Sequence, residues 1–251
     1  TMFAAKEMFN GLGVHNLDCR FNGSSFKIED RSDWLFNSKL AGIDQIDRLL
    51  IIGCDPKREA TVLNARIRKR WLTGELDIIS ICTPNDLTYN AENLGNDIAI
   101  LNNADIISNI KVFFQNSKFP MIILGDSILS TEEGENIHAT IKKIADSCNL
   151  IKEGWNGFNI VSSYASRVGG LEVGFIPTKN GINAKQMKKK ILEKEIKLLF
   201  LIEADDFEIG EIDNELIKIV YIGHHGDRLA SKADVILPIT AFTEKKALYI
   251  N

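Results

Sequence analysis

Three glycine-bearing segments follow short apolar runs and carry side chains able to do chemistry. They are Gly53-Cys54-Asp55-Pro56-Lys57-Arg58, Gly125-Asp126-Ser127 and Gly223-His224-His225-Gly226-Asp227. Open α/β sheets hold ligands at the carboxyl ends of their strands, where glycine lets the backbone approach a phosphate. Lys57 and Arg58 would attract such an anion, and Asp55 would repel it. The first segment is neither G-x-G-x-x-G nor a Walker loop, so the competing reading is a structural turn. His224 and His225 beside Asp227 suggest a metal, but adjacent side chains diverge and no third ligand stands at helical or hairpin spacing. Polar loop histidines are the alternative. Glu203, Asp205 and Asp206 offer oxygen ligands for Mg²⁺, or form a solvated strand end.

The four cysteines, Cys19, Cys54, Cys82 and Cys148, form no C-x-x-C clip, since the closest two are 28 positions apart. That spacing argues against a zinc or iron–sulfur site. Cys54 and Cys82 adjoin apolar runs, as buried thiols of a reducing compartment do. No Gly-x-Ser-x-Gly elbow marks a nucleophile. The residues alone thus offer a pocket of candidates (Gly53, Asp55, Gly125, Asp126, Gly223 and His224), no catalytic group and no metal ligand.

The elements that must position these loops alternate strand with helix. Continuous apolar runs at 49–52, 78–82, 121–124, 198–202, 217–222 and 235–237 read as buried parallel strands. Between them, Ala60 to Leu72 has helical spacing, with Leu63, Ile67 and Trp71 four apart. Helices are also expected at Ile106–Phe114, from Ser130 or Thr131 towards Cys148, and at Ala184–Lys194. Near the N-terminus Phe3, Met8 and Leu12 would share a helix face. The glycine-rich stretch 152–178 reads as loops with short helical turns. The expected fold is α/β, doubly wound, with mostly parallel sheets and flanking helices. The expected units are 1–150 and 151–251, the second truncated. Both ends look cut from a longer protein.

With 251 residues, 30 Lys plus Arg, 34 Asp plus Glu, a formal charge of −4 and pI ≈ 5.7, the chain lacks the footprint of a general nucleic-acid binder. The run Arg66-Ile67-Arg68-Lys69-Arg70 has no aromatic platform beside it and reads as a solvated or partner-facing helix surface. No apolar run reaches the roughly 20 residues that span a bilayer, so no direct membrane insertion is expected.

Several stretches together resemble a known family. Gly13-Val14-His15-Asn16-Leu17-Asp18-Cys19-Arg20 is similar to "GSPNLDCR", residues 34–43 to "YLFNTTIAGIE", and residues 52–60 to "VGTNPRREA". Residues 63–69 match "LNARIRK", and residues 233–238 with Thr243-Glu244-Lys245 are similar to "ADVVLPGAAYTEK". In this order they resemble the large iron–sulfur subunit (75 kDa type) of respiratory NADH:quinone oxidoreductase, complex I, over nearly the whole chain. The resemblance implies a molybdopterin-oxidoreductase-like domain with no cofactor of its own, the iron–sulfur clusters lying in an N-terminal part of the subunit. It implies other peripheral-arm subunits as partners, no nucleic acid, and a place on the cytoplasmic side of the bacterial inner membrane. The alternative is an active molybdopterin- or nucleotide-binding oxidoreductase domain. The sequence departs from the family pattern at Asp55, where the family has Asn, and at Lys246-Ala247-Leu248-Tyr249, where it has "SGTY".

Overall fold

A computed structural model describes all residues except 29, 85, 208–216, 227 and 251. In chain order the helices are α1 (Met2–Gly11), α2 (Lys39–Gly42), α3 (Pro56–Glu59), α4 (Thr61–Trp71), α5 (Ala104–Phe114), α6 (Asp126–Leu129), α7 (Gly134–Ser147), α8 (Arg167–Glu172) and α9 (Ala184–Leu192). The strands are β1 (Arg48–Ile52), β2 (Asp77–Ile81), β3 (Glu92–Gly95), β4 (Pro120–Gly125), β5 (Ile151–Lys152), β6 (Trp155–Asn156), β7 (Phe158–Val161), β8 (Leu198–Ile202), β9 (Lys218–Gly223) and β10 (Val235–Pro238). β5 and β6 pair antiparallel with each other, and the other strands form the parallel sheets of an α/β fold with flanking helices.

The chain makes two compact units, Ser24–Tyr164 and Thr1–Gly23 with Ala165–Asn251. Sequence reading divides it instead into consecutive parts at 150. The first 23 residues join the C-terminal part because α1 sets Phe9 edge-on against Phe200 of β8, centroids 5.0 Å apart. No local pattern signals so distant a contact. It also rotates α1 from its expected seat: Ala5 and Phe9 are buried, while Phe3, Met8 and Leu12 are exposed.

Unit Ser24–Tyr164 contains a five-stranded parallel sheet in the order β3-β2-β1-β4-β7. Its central strands β1 and β4 are apolar runs because both faces are covered; residues 49–52 and 120–125 are all buried. Helix α4 adds Leu63 and Ile67 to the core on one side of them. Asp47 fixes the entry of β1 relative to β4. Its carboxylate accepts from Ser117 Oγ and from the amides of Lys118 (2.7 Å) and Phe119 (3.1 Å). Burial would raise the Asp47 pKa, but these donors outweigh it and hold the pKa below the usual carboxylate range.

Four strands depart from the sequence reading, the two-residue strands β5 and β6 together with β3 and β7. β3 is a polar edge strand of Glu92-Asn93-Leu94-Gly95, reached through a register shift at Ser80/Ile81. β7 lies inside the stretch read as loops. Its apolar run is interrupted by Asn159, which is fully buried because its Oδ1 accepts from the amide and hydroxyl of Ser38 (2.9 and 3.0 Å). The helix expected to start at Ser130 or Thr131 begins later, as α7. Neither hydroxyl caps it; each donates back to a carbonyl of the preceding turn, Ser127 O and Ile128 O respectively.

Unit Thr1–Gly23 with Ala165–Asn251 contains a three-stranded parallel sheet, ordered β10-β9-β8. Leu199, Leu201, Ile219 and Tyr221 point to one face and pack with Ala184 and Ile191 of α9 and with Leu229 and Ala230. A reciprocal capping box between Asn183 and Gln186 starts α9. The amide of Ala184 also donates to Asp18 Oδ2 (3.0 Å), whose Oδ1 holds Arg20 Nε at 2.9 Å.

Candidate functional site

The five-stranded sheet reverses its winding between β1 and β4, and the crevice at such a reversal is where doubly wound sheets take ligands. Gly53, Asp55, Gly125 and Asp126 all stand at the carboxyl ends of these two strands. The geometry there is closed. A Cβ on Gly125 would lie 2.0 Å from Gly53 O, so the two loops meet backbone to backbone. Gly53 has φ +55, and a Cβ there would meet Ile128 Cδ1 at 1.8 Å. Ser127 Oγ donates to Gly53 O at 3.1 Å, pinning α6 over the crevice. The glycines permit a close approach, and the approaching group is protein.

Asp126 is buried, and its two carboxylate oxygens accept from Ser24 Oγ (2.7 Å) and Ser162 Oγ (3.1 Å). Neither serine could be singled out in the sequence, because each partner is distant and lies in a stretch without periodicity. Asp55 precedes the short helix α3. Its amide donates to Glu59 Oε1 (2.7 Å), while its buried Oδ1 has no hydrogen-bond partner among the described residues. An acceptor-only oxygen in that position disfavours phosphate. Cys54 is buried between them. Burial, and then the carboxylates of Glu59 and Asp55, push its thiol pKa far up, which disfavours a free thiolate nucleophile there. Cys82, also expected to be buried, is only partly so and has φ +51 at the end of β2.

Gly223 and His224 belong to the other unit, at the end of β9. Gly223 has no space for a Cβ because the Tyr221 ring folds over it, its hydroxyl 2.3 Å from the site a Cβ would take. That hydroxyl donates to Asp205 Oδ1 at 2.6 Å. His224 Nε2 stands 3.8 Å from Glu203 Oε1, which Lys245 Nζ holds at 2.7 Å. His225 Nδ1 contacts His224 Nδ1 at 3.1 Å, one nitrogen donating to the other. Glu203, Asp205 and the histidine pair thus have partners inside the chain. Asp227 lies outside the described residues.

The basic run on α4 is likewise engaged. Arg66 pairs with Asp44 (2.9 Å), Arg68 donates to Thr88 O, and Arg70 Nε donates to Ile46 O (2.8 Å) and pairs with Glu75. Asn64 adds a bond to Thr88 Oγ1 (3.0 Å). The Asn64 and Arg68 contacts seat the loop after β2, and Arg68 and Lys69 are the exposed basic residues of the run.

The whole chain, residues 1–251, matches the model of a family described as molybdopterin oxidoreductase. The chain belongs to that family. It is 37% identical to the 78 kDa subunit of mitochondrial NADH-ubiquinone oxidoreductase from Neurospora crassa, over all of this chain and 33% of that protein. It is 35% identical to a subunit of the NADH-quinone oxidoreductase of Rickettsia prowazekii, over all of this chain and 35% of that protein. With the 75 kDa subunit of NADH-ubiquinone oxidoreductase from Reclinomonas americana the identity is 39%, over 98% of this chain and 37% of that protein. The chain spans about a third of the length of these relatives. The molybdopterin that the family name implies does not fit the β1–β4 crevice, where Ile128 and the Gly53 carbonyl fill the approach to the two glycines. Among the described residues, no group of three or more His, Cys, Asp or Glu is placed to hold a metal ion. Nor is any described helix long and apolar enough to cross a membrane.

Proposed function

We propose that this chain is the molybdopterin-oxidoreductase-like portion of the large subunit of a proton-pumping NADH:quinone oxidoreductase, and that it serves there as a structural domain without a cofactor. The whole complex moves electrons from NADH to quinone; this portion holds neighbouring parts in place. The carrying observation is the closure of the three strand-end glycines, Gly53 by Ile128, Gly125 by the Gly53 carbonyl and Gly223 by Tyr221. A working pterin or nucleotide site needs those positions open. The similarity of the full chain to subunits named for that enzyme supports the identity of the complex. Iron–sulfur clusters belong, in this reading, to an N-terminal part of the subunit. The partners are other peripheral-arm subunits, on the cytoplasmic side of the inner membrane, with no nucleic acid and no insertion of this portion into the bilayer.

Affinity purification of the tagged protein from host membranes tests the reading. The expected result is co-purification with NADH:quinone oxidoreductase activity, and no calorimetric heat from guanine nucleotides or NADH on the isolated domain. Stoichiometric molybdenum or a tightly held pterin in the isolated domain would refute the structural role.

A further inference from the structure

The loops that follow β1 and β2 are tied to each other. Lys57 Nζ donates to Asp86, 2.6 Å from Oδ2 and 3.2 Å from the carbonyl oxygen. Asn64 Nδ2 donates to Thr88 Oγ1 at 3.0 Å, and Arg68 donates to Thr88 O. Tyr89 comes next in this loop and packs in the core cluster with Cys54 and Leu63. It is only 5% exposed, yet its hydroxyl has no hydrogen-bond partner among the described residues. Two further buried oxygens in these segments also lack one, Asp55 Oδ1 and Asn64 Oδ1. Burial, and then Cys54 and Asp55, raise the Tyr89 pKa, which places its hydroxyl towards the end of β1. The other groups there are engaged. The Cys54 thiol is bonded to Glu59, and Glu59 Oε1 accepts from the Asp55 amide at 2.7 Å. Asp55 Oδ2 turns to Arg58 Nε at 3.5 Å, and Oδ1 is the buried oxygen.

A donor and an acceptor thus share one buried region without bonding to each other. Burying either group unpaired is costly, and native proteins seldom do so. We infer that an ordered water molecule is held between the two loops, accepting from the Tyr89 hydroxyl and donating to Asp55 Oδ1. The chemistry selects this ligand. Asp55 Oδ1 needs a donor and Tyr89 needs an acceptor, and water is both. An ammonium group has no lone pair to receive the phenol proton, and a metal ion would turn that proton towards a cation. The second water proton can go to Asn64 Oδ1, on the helix that also holds Thr88. The site goes beyond the proposed function and does not depend on it, because every residue involved lies within Ser24–Tyr164. It completes the closure around the end of β1. Ile128 and backbone fill the side towards β4, and the water seals the side towards β2.

High-resolution crystallography of the whole 251-residue chain tests this, on native crystals and on native crystals soaked in rubidium chloride. The expected result is a solvent peak about 2.5–3.0 Å from both Tyr89 Oη and Asp55 Oδ1, with no rubidium anomalous signal at that position. A rubidium signal there would assign the site to a cation and overturn the inference. So would a direct bond between Asp55 and Tyr89, a protein group bonded to either oxygen, a peak bonded to only one of them, or no peak. Asp55→Leu, which removes the acceptor at similar side-chain volume, should abolish the peak. An equally occupied peak left on Tyr89 in that variant would show that Asp55 does not hold the water. If Asp55→Leu fails to fold, the two native data sets decide.

Discussion

Gly125→Ala isolates the contact that closes the crevice between β1 and β4. Gly125 has φ −76° and ψ 139°, a conformation alanine adopts freely, so the substitution adds no backbone strain of its own. What it adds is one methyl group, 2.0 Å from Gly53 O, 2.8 Å from Gly53 C and 3.2 Å from Cys54 Cα. All three obstacles are backbone atoms at the end of a fully buried strand, and no rotamer change moves them aside. Overpacking of this kind costs about 1–3 kcal/mol, and a rigid backbone obstacle puts it at the upper end, about 3 kcal/mol. Gly74→Ala is the control. Its φ of +77 makes alanine strained by about 1–2 kcal/mol, but nothing lies within 4 Å of the added atom. Urea unfolding followed by tryptophan fluorescence reads the right unit, since the three tryptophans, Trp34, Trp71 and Trp155, all lie in Ser24–Tyr164. With a slope of about 3 kcal/mol per M, Gly125→Ala should lower the midpoint by about 1 M and Gly74→Ala by about 0.3–0.7 M. An unchanged midpoint for Gly125→Ala would mean that the loops stand apart. The case for a filled crevice would then fall with it.

Other consequences can be measured on the same material. His138 is buried between Phe26 and Phe158, with Nε2 2.8 Å from Asp33 O, and desolvation lowers its pKa below the ordinary value. The unfolded chain therefore binds this proton first as pH falls, and stability should drop below about pH 6.5 by up to about 1.4 kcal/mol per unit. Melting temperatures from pH 7.5 to 5.5 should show that slope, flattened in His138→Leu; an equal slope in both proteins removes His138 as the cause. Arg70→Ala should cost about 1.5–3 kcal/mol by freeing the buried-side contact to Ile46 O, whereas exposed Lys69→Ala should stay within about 0.5 kcal/mol. Urea midpoints of the two variants decide, and equal effects would undo the structural reading of the basic run. Burial pushes the Cys19 thiol up to about 12 and Cys54 still further. A disulfide reagent on the native protein should modify Cys148 and Cys82 first and Cys54 only on unfolding, as peptide mapping would reveal; early labelling of Cys54 would contradict its burial.

Much of the sheet was legible because its central strands are buried on both faces. Residues 49–52 and 121–124 are continuous apolar runs, and a parallel strand leaves no other trace. β7 was illegible for the complementary reason. Its place at the sheet edge lets a side chain as polar as Asn159 be buried against Ser38, 121 positions away, and no periodicity encodes that bond. β3 has no apolar run at all. The site was legible in position but not in state. The glycines after β1, β4 and β9 do mark close approaches, but sequence alone does not say whether the approaching group is a phosphate or Ile128, a carbonyl and a tyrosine ring.

The stretches that carry the family resemblance gain a common physical meaning once their partners are known. In 13–20, Asp18 and Arg20 form a nearly buried ion pair, and Asp18 also receives the first amide of α9. In 63–69, Asn64, Arg66 and Arg68 bind Thr88 and Asp44. In 233–238, Asp234 accepts from Lys218 Nζ (2.7 Å) and the amide of Ile219 (2.9 Å), fixing the register of β10 beside β9. In 243–245, Lys245 holds Glu203. Each of these polar side chains ties one segment of the chain to another. Removing one partner of the Asp18–Arg20 pair would strand a buried charge, at about 3–5 kcal/mol. An active site shows the opposite arrangement, with polar groups converging on a space that a ligand completes. Residues of this family pattern instead satisfy one another within the fold.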